Sequence, residues 1–216
     1  MSTRPPHPAP PLRVPGVPWP LAPSTQGRTP AVRVLGIDPG TRLLGWGVVD
    51  SQGTQARAVA HGVLRMPASL PIEQRLARLA SGLREVVQQW KPQEAALEEV
   101  FFGHDTRAAV RLGEARGAVM LVLAEAGLPV TGYANNVVKK AVGGAGRASK
   151  GRVQALVWRM LAVPDAPATA DASDALALAL CHVHRRAFAG GSGQGPDLAP
   201  RVLEAIARAR AARRRK

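Results

Sequence analysis

The chain has 216 residues, a 46% apolar share and one cysteine, Cys181. That suits one ordinary domain plus tails, rules out an intrachain disulfide and fits a reducing, cytoplasmic setting. The formal charge is +14, and no stretch approaches the roughly 18 apolar residues of a membrane span, so a polyanion is the expected partner, nucleic acid ahead of a lipid surface.

Residues 1–31 carry three Arg and no acid, and ten of the 19 prolines fall in the first 30 positions. Proline breaks every apolar run there, so neither a signal peptide nor regular structure is expected, only a disordered extension. A start codon upstream of the native one would also produce it; intact mass of the native protein tests that. Residues 189–216 form a Gly-rich and then basic tail, with seven Lys/Arg against Asp197 and Glu204. The remaining charge leaves the intervening domain, 32–188, basic by itself.

Short apolar runs at 32–38, 44–50 and 57–65 predict three strands in an antiparallel meander. Leu76, Leu79, Leu83, Val86 and Val87 recur at helical spacing over 71–90, and Lys91-Pro92 ends that helix. A fourth strand is expected over 95–102, a long helix over 106–126 ending at Gly127, and a fifth strand over 129–133. Asn135 is placed to cap a short helix over 136–142. The loop "GGAGRAS" follows, then helices over 150–161 and 170–187. This order implies a mixed five-stranded sheet flanked by helices.

Four carboxylates occupy unusual places. Asp38 ends the first strand, in "GIDPG", and Glu98 falls at or near the end of the fourth. Asp171 and Asp174 are three apart at the start of the last helix, so they share a face. If the first and fourth strands lie parallel and adjacent, Asp38 and Glu98 emerge at one sheet edge within reach of the Asp pair. Carboxylates so gathered repel unless cations sit among them, and oxygen ligands suit Mg²⁺ or Mn²⁺. Singly, each has a plainer explanation: a turn before Pro-Gly, an exposed strand residue, or partners of a helix dipole. Glu99 is expected to be such an exposed strand residue. Gly40 and Gly45 are read as openings for close approach of backbone and DNA.

Three blocks, "LGIDPGTRLLGWGVVD", "ALEEVFFGHDTRAAVRLGEARGAVM" and "TADASDALALALCHVH", together resemble the RuvC family of Holliday-junction resolvases, over about residues 32–187. The resemblance implies an RNase H-like fold and a metal-dependent endonuclease of recombination and repair that resolves four-way DNA junctions by paired nicks. It places two divalent ions per site on Asp38, Glu98, Asp171 and Asp174. Some members carry His at the third position, where this chain has Asp171. It also implies a homodimer, with the helix bearing Gly113 and Gly117 as the contact, although packing within one chain explains those glycines equally well. Branch-migration and junction-binding proteins are further expected partners.

Between Glu125 and Asp165 there is no acid, while Lys139, Lys140, Arg147, Lys150, Arg152 and Arg159 fall in that interval. Such a stretch suits phosphate gripping. The resemblance puts functional lysines at Lys139 and Lys150, and places Phe101 against an unpaired base. His104, His182 and His184 are read as surface or packing residues. Rival readings are a non-catalytic junction binder, a nuclease of RNA–DNA hybrids, and an actin/sugar-kinase-type phosphotransferase. The last shares the strand–D-x-G-T–strand pattern but needs a second phosphate motif, and none is found.

Overall fold

In the computed structural model the described residues are 31–99, 106–143, 150–163 and 169–189. Strands β1 (Val32–Asp38), β2 (Leu43–Gln52), β3 (Gln55–Arg65), β4 (Glu94–Glu98) and β5 (Val130–Tyr133) form one sheet, ordered β3-β2-β1-β4-β5. β1, β2 and β3 pair antiparallel; β4 and β5 add in parallel. The helices are α1 (Ile72–Trp90), α2 (Thr106–Glu125), α3 (Asn135–Gly143), α4 (Lys150–Met160) and α5 (Ala170–Ala189).

Strand periodicity divides the sheet into two faces. Leu35, Ile37, Ala95 and Leu97 pack with Leu79, Leu83, Val119 and Leu123 of α1 and α2. Val34 and Ala96 face Leu176, Ala179 and Leu180 of α5, which α3 and α4 cover from outside. Two residues beyond Gly36 and Ala96, Asp38 and Glu98 fall on the α5 face. Full burial of one Leu or Ile contributes about 2 kcal/mol, so this parity is strongly held.

α5 lies unusually close to the sheet because the strands beneath it offer glycine. A Cβ on Gly36 would come within 2.8 Å of the Ala179 amide nitrogen, and one on Gly47 within 2.8 Å of Leu176 Cδ2. A Cβ on Gly45 would overlap the Asp171 carbonyl. Gly45 therefore admits the start of α5 rather than DNA, and the space beside Gly40 is filled by the Leu43 carbonyl. Farther along α5, buried His182 bridges two strands. Its Nε2 donates to Glu94 Oε2 at 2.7 Å, and in the neutral ring Nδ1 accepts from the Tyr133 hydroxyl at 2.8 Å. Arg186 completes the group at 3.3 Å from Glu94 Oε1. His182 is thus a packing residue, as expected.

Several boundaries differ from the sequence expectation. β4 ends at Glu98, and residues 100–105, including Phe101, lie outside the described residues, as do His104 and Arg147. Glu99 is not in the strand: it is half-buried, its carboxylate standing over Gly132. The end of α1 falls where it was expected, with Lys91 in the left-handed region, φ 48°, before Pro92. β3 carries an irregularity opposite Val48/Val49. Ala56 and Ala58 therefore face α5, while Ala60 and Leu64 face α1 and α2. Such a bulge exchanges the two faces of a strand. Gly113 and Gly117 meet nothing within 4 Å, so packing among the described residues does not explain them.

Candidate active site at the sheet edge

Asp38 and Glu98 stand at the C-terminal ends of neighbouring parallel strands, where Ile37 is in register with Leu97. The first turn of α5 crosses this edge over Gly45, the partner of Asp38 on β2, and delivers Asp171 and Asp174 from above. Asp38, Glu98 and Asp174 line a cleft of about 260 Å³, together with Asn135 and Lys139 of α3 and an apolar floor that includes Val138 and Leu178. Asp171 does not line it. It stands at the margin, and its charge is felt at Asp38 less than that of Asp174.

The electrostatics show how close these groups are. Burial raises the Asp38 carboxyl most. A hydrogen bond with Glu98 and the Glu98 charge come next, followed by the charges of Asp174 and Asp171; together they push its pKa up to about 8. Burial and the neighbouring charges thus favour the protonated Asp38 carboxyl near neutral pH, hydrogen-bonded to Glu98. The donor set is all carboxylate oxygen, which fits a hard divalent cation, and such a cation would replace that proton. As they stand, no three His, Cys, Asp or Glu side chains among the described residues form a group that could hold an ion.

Two residues were not identified from sequence. Asn135 does not cap α3 with its side chain; its Nδ2 donates to Glu98 Oε1 at 3.1 Å. Arg116 of α2 donates from Nε to the Glu98 carbonyl at 3.2 Å and holds the end of β4. Neither carries a sequence signal, since each contact depends on where β4 stops. Lys139, one turn beyond Asn135, brings the predicted cation into the cleft. Lys150 opens α4, and Arg152, two residues along it, is exposed. Trp158 Nε1 donates to Ser173 Oγ at 3.2 Å, tying α4 to the first turn of α5.

A five-stranded sheet in this order, with acids ending two adjacent parallel strands and a further acidic pair on the helix crossing them, defines an RNase H-like nuclease. The family model described as "Crossover junction endodeoxyribonuclease RuvC" matches residues 34–182. A protein of that name from Maricaulis maris is 49% identical over 163 residues, covering 75% of this chain and 97% of the relative. One from Chloroflexus aggregans is 45% identical over 153 residues, covering 71% and 93%. Among solved structures, T. thermophilus RuvC in complex with Holliday junction substrate is similar, with a TM-score of 0.69 and 36% identity over 73% of this chain and 96% of that one. The yeast mitochondrial Holliday junction resolvase Ydc2 shares the fold, with a TM-score of 0.54 at 11% identity over 74% and 81% of the two chains. The chain belongs to the RuvC family of crossover junction endodeoxyribonucleases.

Proposed function

We propose that this chain resolves four-way DNA junctions by metal-dependent hydrolysis of phosphodiester bonds, nicking two strands symmetrically. The observation that carries this reading, beyond family membership, is the raised Asp38 carboxyl within a set of four acids. Such a set is stable in its charged form only with cations among it. Asp38, Glu98, Asp174 and Asp171 would hold two Mg²⁺ or Mn²⁺ ions, which supply charge neutralisation and an acidified water. Asp38, central at the sheet edge, is the candidate shared ligand. Asn135 fixes one oxygen of Glu98, which lines the cleft. Lys139 offers its ammonium to a phosphate oxygen, while Arg152 extends the basic surface along α4, the helix that Lys150 opens. The bond broken joins phosphorus to the 3′ oxygen and leaves a 5′ phosphate.

A junction is two-fold symmetric, so paired nicks call for a C2 dimer. The outer face of α2 supports one. Val110 and Leu121 are 60% and 57% exposed, and Gly113 and Gly117 between them lie open on the same stripe. No helix among the described residues is long and apolar enough to cross a membrane.

The test is cleavage of a synthetic four-way junction, a linear duplex and an RNA–DNA hybrid in parallel, with Mg²⁺ and with Mn²⁺. Symmetric nicks in the junction alone are expected. Metal-independent junction binding without cleavage would instead identify a non-catalytic binder, and cutting of the hybrid alone would reassign the substrate.

A further inference from the structure

The basic surface read from sequence lies on one side of the acidic edge, on α3 and α4. The opposite side is also cationic, for a reason that only the sheet register reveals. Along the edge, Asp38 pairs with Gly45 and Gly45 pairs with Val63; two residues on, Leu43 pairs with Arg65. Arg65 has an odd number, as do Val59, which packs toward α1 and α2, and Val63. The irregularity in β3 reverses the faces beyond it. Ala60 and Leu64 take the α1/α2 side, and Gly62 lies against the Trp46 ring there. His61, Val63 and Arg65 are therefore on the side of Asp38 and Glu98. An unbroken strand would have turned Arg65 away from the site.

Strand spacing and rise put the Arg65 Cα about 12 Å from that of Asp38. Arg42 joins it at this rim: its carbonyl accepts from the Met66 amide at 2.9 Å, so the β1–β2 turn and the end of β3 are bonded together. Half-buried Arg75 approaches the Thr41 carbonyl at 3.5 Å from the α1 side. Arg42 and Arg65 are both exposed. Neither takes part in an ion pair among the described residues, and Glu73, in the first turn of the adjoining α1, pairs with neither. Half-buried Leu43 and Val63 form an apolar floor between the arginines and the carboxylates. Unneutralised arginines held on rigid backbone beside an apolar strip are matched to a sugar–phosphate chain.

We infer that Arg42 and Arg65 form a second phosphate-binding rim, gripping the cleaved strand on the β2–β3 side of the carboxylates. The strand then crosses the acidic edge from α3–α4 to β3, held at both ends, with the scissile phosphate over Asp38 and Glu98. This rests on the junction-cleaving reading above and gives the strand its path.

Equilibrium binding of a labelled four-way junction by the cleavage-deficient Asp38→Asn protein, across a salt series, provides the test. The parent is compared with a protein that also carries Arg42→Gln and Arg65→Gln. Loss of two phosphate contacts in each protomer of the dimer, four in all, lowers the slope of log K against log salt by roughly 2.8–3.6, and weakens binding at 0.1 M salt by roughly 600- to 4,000-fold. Lysine at both positions restores most of the slope, because counterion release depends on charge. A glutamine variant that melts like its parent and binds with the same slope and affinity overturns the inference and leaves junction cleavage standing. If the glutamine variant melts early, phosphate-ethylation interference on the parent reads the same contacts, and interference confined to the α3–α4 side overturns it. A parent that ignores junctions altogether overturns both readings.

Discussion

Asp38→Asn should make the metal-free protein more stable while abolishing cleavage. The Asp38 carboxyl titrates near 8 in the folded chain against an ordinary 3.8. Below about 4 it is protonated folded or unfolded and contributes nothing. Between the two values the folded state alone holds the proton, so stability falls as pH rises, by about 1.4 kcal/mol per unit. Above about 8 the carboxyl is ionised in both states, and the full penalty remains. At pH 7 this sets a ceiling of roughly 4 kcal/mol, and because Asp38 is only partly buried, relaxation and water penetration bring the expected value nearer 2 kcal/mol. Asparagine keeps the shape without the charge. In EDTA its melting temperature should exceed that of the wild type by roughly 4–8 °C at pH 7, with the gap widening from pH 4 to 8 and then levelling. Thermal melts across that range measure it directly. Adding Mn²⁺ should raise the wild type and leave the variant nearly unmoved. A gap that is independent of pH, or a variant less stable at pH 8, would refute the claim that burial and neighbouring acids raise the Asp38 carboxyl.

Other outcomes follow from single contacts. Asn135→Ala frees Glu98 Oε1 and should weaken Mn²⁺ binding by roughly 10-fold, in the range of lost outer-shell partners; calorimetric metal titration reads this, with junction affinity unchanged. Gly45→Ala drives a methyl into the Asp171 carbonyl, and the displaced start of α5 should cost about 1–3 kcal/mol by denaturant unfolding along with cleavage. Leu121→Glu on the open stripe of α2 should yield a folded monomer by light scattering that still binds a junction arm but no longer makes paired nicks. His182→Ala strands the Tyr133 hydroxyl and leaves Glu94 only its Arg186 partner, and should lower stability by about 1–3 kcal/mol.

The strands, helices and four carboxylates were legible because each rests on a local signal. Apolar alternation gives the strands, helical spacing gives α1, and an acid at the end of a buried strand stands out against its surroundings. The features that assemble the site are relations between segments, which local signals do not carry. Gly36, Gly45 and Gly47 look like ordinary strand glycines, yet together they form the groove that lets α5 lower Asp171 and Asp174 toward Asp38. Asn135 carries the chemistry of a helix cap, but β4 ends where the Glu98 carboxylate can take its amide instead. Arg65 shows the limit most clearly. Strict alternation along 57–65 puts it on the same face as Arg57, and nothing in that run marks the irregularity opposite Val48 and Val49. A single extra residue in β3 turns a distant arginine toward the carboxylates. The acids needed a cation to coexist, and the sequence supplied a basic surface on one side of them. The sheet register adds the other side, so the acidic edge lies between two cationic rims, and on the path proposed above the cleaved strand crosses that edge from one to the other.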